Sequence, residues 1–72
     1  MNKKEIGLYA GKVWRLLADN SRWSYNELKK KSGLNDSELG AALGWLAREN
    51  KIDFDQDGEE IRVFMYVNVY IG

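Results

Sequence analysis

The chain has 72 residues, of which 44% are hydrophobic and 31% are charged, and it contains no Cys and no His. This length suits one small domain with a thin core, and the composition is globular rather than disordered. Without Cys and His there are no disulfides and no ordinary zinc site, and the serines have no imidazole base to activate them. We therefore expect a single non-enzymatic domain over residues 1–72, with no cofactor, metal or small-molecule substrate.

A formal net charge of zero hides a strong division of charge along the chain. Residues 1–34 carry eight Lys or Arg against three Asp or Glu, and residues 35–72 carry three against eight. The two halves thus have formal charges of +5 and −5. Such a division either arises by chance or lets one end attract an anionic partner or pair with the other end of a second copy.

No apolar run approaches the roughly 18 residues that would span a bilayer. The first four residues are followed by a helical pattern and not by the continuous apolar stretch of a signal peptide. We expect a cytoplasmic protein without a membrane partner.

Three polar residues are each followed three positions later by Glu, which is the spacing of a helix-capping box: Asn2, Ser24 and Asn35. Each is also flanked by a pair of apolar residues spaced as a hydrophobic staple. The apolar periodicity predicts one helix that starts after Asn2 and ends near residues 19–20, a second over 25–32 and a third over 36–49. Gly33 and Asn50 are placed to end the last two with left-handed turns.

The inward positions of these helices define the expected core. They are spaced three or four residues apart: Ile6, Tyr9, Ala10, Val13, Leu16 and Leu17 in the first helix, Leu28 in the second, and Leu39, Ala42, Leu43 and Leu46 in the third. We expect Trp14 and Trp23 to join this core.

After residue 50 the apolar period changes from 3.6 to 2, which predicts a β-hairpin. Asp57-Gly58 favours a two-residue type I′ turn, in which both central residues have positive φ. A turn centred there predicts the cross-strand pairs Phe54–Ile61, Asp53–Arg62 and Ile52–Val63. The second strand would continue to Ile71, a length of roughly 36 Å, and part of it would pair with a short strand at residues 22–23.

This order of helix, short strand, two helices and hairpin indicates an α+β winged helix-turn-helix, with three helices and a C-terminal β-hairpin wing. Residues 12–17, 23–28, 44–52 and 67–72 (KVWRLL, WSYNEL, GWLARENKI and VNVYIG) resemble the small bacterial winged helix-turn-helix family of unknown function. The resemblance covers nearly the whole chain and implies a stand-alone winged-helix domain from a bacterium.

Winged helices commonly place the third helix in the major groove of DNA. The candidate nucleic-acid-binding residues are basic or polar and lie at the end of the second helix or on the outer face of the third: Lys29, Lys30, Lys31, Ser37 and Arg48. Five carboxylates in residues 53–60 oppose phosphate contacts by the wing. The three lysines also have a simpler explanation, which is that they complement the dipole at a solvated helix end.

Two glycines within one helix each cost about 1 kcal/mol relative to Ala, so their presence on an outer face suggests a contact surface. The candidate protein-contact residues are small, apolar or aromatic: Gly40, Ala41, Gly44 and Trp45 in the third helix, and Tyr66, Val67, Val69 and Tyr70 in the long last strand. Trp45 either anchors an interface or packs against the root of the wing. A homodimer through the last strand or the first helix would cover the surplus apolar surface.

Residues 53–58 match the opening of an EF-hand calcium loop. The twelfth position of that loop, where a bidentate Glu is needed, is Phe64, and a strand is predicted on each side. We therefore interpret the segment as an acidic hairpin.

Two functions of different class remain open. One is a DNA-binding, transcription-regulator-like homodimer, and the other is a self-associating protein-interaction module that binds no nucleic acid.

Overall fold

The structure is a computed structural model that describes residues 1–18 and 22–65. Three helices pack beside a three-stranded antiparallel sheet, which confirms the predicted α+β winged helix-turn-helix. In chain order the elements are α1 (Lys3–Leu17), β1 (Trp23–Ser24), α2 (Tyr25–Ser32), α3 (Asp36–Arg48), β2 (Ile52–Asp57) and β3 (Glu60–Met65).

Local hydrogen bonds set the helix boundaries. All three predicted capping boxes are formed in both directions, and the side chains of Asn2, Ser24 and Asn35 each accept from the backbone N–H three residues on. These bonds satisfy N–H groups that a helix start otherwise leaves unpaired. Gly33 ends α2 with φ 71° and Asn50 follows α3 with φ 58°, so both predicted left-handed positions are confirmed.

The first helix ends slightly earlier than the sequence predicts. Its last residue is Leu17, and Ala18 forms the C-cap, whereas residues 19–20 lie outside the described residues. The third helix ends at Arg48, one residue before the predicted boundary.

The core lies where the three helices meet the inner face of the sheet. Val13, Leu17, Leu28, Leu39 and Val63 have no exposed surface. Trp14 and Trp23 pack against this cluster but remain partly exposed, so the expectation that they join the core holds only for part of each ring. Of the predicted inward residues, Ile6, Tyr9 and Leu16 are also only half-buried.

Strand β3 occupies the centre of the sheet, between β1 and β2. Trp23 pairs with Val63 and Ser24 with Arg62, which confirms that a short strand before α2 pairs with the hairpin, although it begins one residue later than predicted. Because this strand borders α2 directly, it ties the sheet to the start of the helix-turn-helix.

The predicted register of the hairpin is wrong, because the turn lies one residue later in the chain than predicted. Strands β2 and β3 pair Phe54 with Val63 and Asp55 with Arg62, and Asp57 with Glu60 next to the turn, so the central turn residues are Gly58 and Glu59. Gly58 has φ 65°, while neither Asp57 nor Glu59 is among the residues with positive φ. Positive φ at the first central position alone is typical of a type II′ turn with Gly there and not of the type I′ turn that Asp57-Gly58 predicts.

This shift moves each pairing partner by two residues and therefore keeps every side chain on its predicted face. Ile52 and Val63 still point to the core, with 5% and 0% exposure. The predicted Asp53–Arg62 pair is replaced by Asp55–Arg62. Beyond Met65, the predicted continuation of the last strand, with the candidate contact residues Tyr66, Val67, Val69 and Tyr70, lies outside the described residues.

Candidate nucleic-acid interface

The outer face of α3 carries a stripe of small residues with a polar residue at each end. Ser37, Ala41, Gly44 and Arg48 are spaced four, three and four positions apart, which places them within about 60° of one another around the helix. Ser37, Gly44 and Arg48 are exposed and Ala41 is half-buried, while Leu39, Ala42, Leu43 and Leu46 face the core. We call these four outer residues the α3 stripe.

Gly40 and Gly44 leave open space on this helix. A Cβ atom built at either position would meet no heavy atom within 4 Å from other parts of the described chain, apart from the backbone of α3 itself, so packing among the described residues requires neither glycine. Trp45 is 40% exposed, which favours the alternative that it lies at the surface. The side of α3 that points to solvent is therefore a flat surface of small side chains, with the aromatic ring of Trp45 beside it.

The first residue of α2 and a lysine of its last turn are held against the first turn of α3 by a small polar network. The Tyr25 hydroxyl donates to Asp36 Oδ1 at 2.7 Å, and Lys29 Nζ lies 3.1 Å from the same oxygen. The hydrogen bond from Tyr25 and then the charge of Lys29 hold the pKa of Asp36 below its ordinary value. The same hydrogen bond to Asp36 raises the pKa of Tyr25.

This network divides the three candidate lysines into two kinds. Lys29 is half-buried and already paired with Asp36, whereas Lys30 and Lys31 are exposed. Lys29 and Lys30 line an open depression of about 600 Å³ at the turn between α2 and α3, together with Asn26, Gly33 and Leu34. A phosphate could reach this depression from solvent.

The candidate cations lie at the two ends of α3. The contact between Lys29 and Asp36 places the α2 lysines beside the start of α3, and Arg48 lies at its other end. Asp36 and Arg48 are twelve positions apart, which is about 18 Å at 1.5 Å per residue. The α3 stripe between these ends carries no charge of its own until Arg48.

The wing is acidic on its described surface. Asp53, Asp55, Glu59 and Glu60 are all exposed. Arg22 Nη1 lies 2.8 Å from Asp55 Oδ2, and the Arg22 guanidinium also stacks over the Phe64 ring at 4.4 Å, so this cation is held against the sheet. A second ion pair joins Arg62 to Glu60 at 3.3 Å.

The structure also brings together an apolar cleft that the sequence analysis missed. Tyr25, Leu43, Phe54 and Ile61 line a cleft of about 390 Å³ between the wing and the helices, with Asp55 and Gln56 at its edge. Phe54 is 44% exposed and Ile61 is 46% exposed. The signal available in the sequence was the length of the hairpin, because two strands of six residues extend past the core that they cover.

The residues that the structure describes form neither a metal-binding cluster nor a membrane-spanning helix. Among the described side chains, no three or more His, Cys, Asp or Glu are grouped so that they could hold a metal ion. The segment that resembles an EF-hand opening forms β2 and the hairpin turn and has strands on both sides. Within residues 1–18 and 22–65, no helix is both long and apolar enough to cross a bilayer.

Comparison with known proteins agrees with this architecture. The chain is 40% identical over 50 residues to the uncharacterized protein MJ1608 of Methanocaldococcus jannaschii, which corresponds to 67% of this chain and 71% of that protein. It also matches the solution NMR structure of protein BT2368 from Bacteroides thetaiotaomicron with a TM-score of 0.80 and 38% identity, over 90% of this chain and 79% of the other. The model of the winged helix-turn-helix domain family DUF2582 matches residues 1–65, and the chain belongs to that family.

Proposed function

We propose that this domain is a non-enzymatic duplex-DNA-binding module, similar to a transcription regulator, that acts as a homodimer. The observation that carries the proposal is the α3 stripe, an open helix face that carries no charge until Arg48 at its end and has Lys29 of α2 beside its start. Winged helix-turn-helix domains of this kind are typically non-enzymatic. We further propose that it acts in the cytoplasm of a bacterial cell and that residues 1–72 act as one unit.

The size of α3 fits this role. The major groove of B-DNA is about 12 Å wide, and the α3 stripe is about 18 Å long. With α3 across the groove, Lys30 and Lys31 would approach one phosphate backbone and Arg48 the other. Ala41 and Gly44 have no long side chains, so the helix backbone can come close to the floor of the groove.

The same residues limit sequence recognition. Base edges are read mainly by hydrogen bonds from polar side chains, and in the α3 stripe only Ser37 and Arg48 carry such groups. Phosphate contacts supply most of the sequence-independent affinity. We therefore expect weak, salt-sensitive binding with little preference among duplex sequences.

The wing is expected to stay away from the phosphate backbone. Its exposed carboxylates would be repelled by phosphate, and Arg22 and Arg62 are already paired with wing carboxylates. Replacing Glu59 by Gln should therefore strengthen binding slightly, because it removes repulsion without adding a contact.

Fluorescence anisotropy of labelled random-sequence duplex DNA, titrated with protein at several salt concentrations, tests the proposal. The double variant Lys30→Ala/Lys31→Ala should weaken binding and reduce the slope of log K against log salt by about two. Arg48→Ala should reduce it by about one. The matched control for Arg48→Ala is Lys3→Ala, which removes one exposed charge from the start of α1 and should leave the slope unchanged. Equal losses for Arg48→Ala and Lys3→Ala, or no binding by the native protein at low salt, would refute the proposal.

A second candidate is a protein-interaction module that self-associates and binds no nucleic acid. It is favoured by the exposure of three large apolar side chains, Phe54, Ile61 and Trp45. Exposed apolar side chains do not stabilise a monomer, whereas a protein partner can cover them. Association of the native protein without any shift of DNA anisotropy at low salt would select this second function.

A further inference from the structure

The apolar cleft beside the wing has no partner within the described part of the domain. Tyr25 and Leu43 form its helical side, and Phe54 and Ile61 form its wing side. We call these four residues the wing cleft. Phe54 and Ile61 each keep nearly half of their surface exposed, although neighbouring Val63 is fully buried. Adjacent apolar side chains that remain exposed on a small domain commonly mark a contact site.

The surroundings of the wing cleft restrict what can occupy it. Asp55 lines its edge, Glu59 and Glu60 lie exposed beside Tyr25 and Ile61, and residues 53–60 contain no Lys or Arg. Arg22 and Arg62 offset part of this charge. A well-matched occupant therefore has an apolar side chain surrounded by cations.

The outer face of α1 has this chemistry. Lys4, Leu8, Lys12 and Arg15 are spaced four, four and three positions apart, so they lie within about 80° of one another on the helix. All four are exposed, and Leu8 is 64% exposed, while Ala10, Val13 and Leu17 face the core. We call this face the α1 stripe. Its one large apolar side chain stands among three cations.

We propose that the α1 stripe of one copy docks into the wing cleft of a second copy, with Leu8 inserted between Phe54 and Ile61. Lys12 and Arg15 would then face the wing carboxylates. The division of the chain into halves of +5 and −5 provides opposite charges on the two sides of the contact. In a two-fold dimer the same contact forms twice, which doubles the apolar area covered.

This inference names the interface of the homodimer in the proposed function, but it does not depend on DNA binding. Leu43 lies 100° or more around α3 from each residue of the α3 stripe, at about 100° per residue. The wing cleft and the DNA-facing surface are therefore different sides of the helix. Failure of DNA binding therefore leaves the proposed interface intact, and failure of this interface leaves DNA binding intact.

Sedimentation equilibrium of the native protein and of single variants tests the interface. Leu8→Ser and Ile61→Ser should each weaken the dimer at least about tenfold, since each removes one side of the apolar contact. Because both residues are substantially exposed, circular dichroism should show unchanged folds. The matched control is Trp45→Ser, which removes an exposed aromatic ring outside the wing cleft and should leave the dissociation constant unchanged.

Mixing the two defective variants gives the sharpest result. Leu8→Ser keeps an intact wing cleft and Ile61→Ser keeps an intact Leu8, so a mixture can form one native contact that neither variant forms alone. Energy transfer between labelled variants should therefore appear in the mixture and disappear at high salt.

Three outcomes would overturn the proposal. The first is a native protein that stays monomeric at ~1 mM in low salt, where even weak contacts are populated. The second is dissociation by Trp45→Ser but not by Leu8→Ser, which would assign the interface to the outer face of α3. The third is a mixture of the two variants that associates no better than either one alone. The DNA titration of Leu8→Ser, measured in parallel, reports separately on the proposed function.

Discussion

The helical part of the domain and its wing differ in how they use apolar residues. Among the described residues, nine of the eleven buried apolar residues lie in the helices or in the turn between α2 and α3, and the wing supplies the other two, Ile52 and Val63. In contrast, the outer half of the wing leaves Phe54 and Ile61 exposed. The helices thus hold the fold together, while the wing extends beyond the core and presents surface for contact.

The largest expected effect distinguishes these two parts by stability. Leu39 is fully buried in α3, and Leu39→Ala should lower the free energy of unfolding by about 2–5 kcal/mol, because it removes buried methyl groups and leaves a cavity. Ile61→Ala removes a side chain that is 46% exposed and should cost less than about 1 kcal/mol. Urea denaturation at protein concentrations where the chain is monomeric measures both. Similar losses for the two variants would show that the wing is part of the stabilising core.

A second prediction compares two glycines in the helical part. Gly33→Ala should destabilise by about 1–2 kcal/mol, since φ 71° is unfavourable for a residue with a Cβ atom. Gly40→Ala should instead stabilise by up to about 1 kcal/mol, because a Cβ there meets open space in a helix interior. Thermal unfolding of both variants measures the difference. If Gly40→Ala weakens DNA binding while raising stability, close approach of the helix to DNA accounts for the glycine.

The polar network between α2 and α3 should give the helical part a pH dependence. Folding lowers the pKa of Asp36, so its contribution is present above the ordinary Asp value of about 4 and is lost as pH falls through the lower folded value. Folding raises the pKa of Tyr25, so its contribution is present below the ordinary Tyr value of about 10 and is lost as pH rises through the higher folded value.

Tyr25→Phe removes the shared hydrogen bond and should therefore reduce the loss of stability at both pH extremes. Urea titrations from pH 2 to pH 11 measure this. The control is Asp53→Asn, which removes a carboxylate from the wing, where it accepts only from the adjacent Phe54 N–H at 2.8 Å among the hydrogen bonds of the described residues. If Tyr25→Phe lost as much free energy of unfolding at low pH as the native protein, the role assigned to the network would be contradicted.

The smallest expected effect concerns the junction between helices and sheet. Trp23 Nε1 is buried and has no hydrogen-bond partner among the described residues. Replacing Trp23 by Phe removes this unsatisfied donor at the cost of some apolar area, so stability should change by less than about 1 kcal/mol. Trp23→Ala also removes the ring packed on Val63, so it should lower the free energy of unfolding by several times as much. A large loss in Trp23→Phe would indicate that the indole N–H has a partner.

The same division between helices and wing explains which features the sequence could predict. Each helix start depends on a hydrogen bond spanning three residues, as between Asn35 and Glu38, and such local bonds are visible as sequence spacing. The hairpin register depends instead on which of two adjacent residue pairs forms the turn. Asp57-Gly58 and Gly58-Glu59 compete for it, and the first has the stronger local preference for a hairpin turn. The structure forms the second pair, so Asp55 and not Asp53 faces Arg62.

In the candidate sites too, local features were predictable from the sequence and contacts between distant residues were not. The outer residues of α3 were predictable because a helix repeats every 3.6 residues. Three other features join residues that are distant in sequence or belong to different elements. They are the ion pair between Lys29 and Asp36, the contacts of Arg22 with Asp55 and Phe64, and the wing cleft. No spacing rule covers such contacts, and they determine which charges remain available to a partner.

The order of elements, the helix starts and the inward faces of the helices were determined by the sequence alone, because they arise from hydrogen bonds and periodicities within a few residues. The tertiary structure decided the turn register, the exposure of Trp45 and the cleft between wing and helices. These depend on how far six-residue strands extend past a core of fixed size, which is a property of the packed domain and of no single segment.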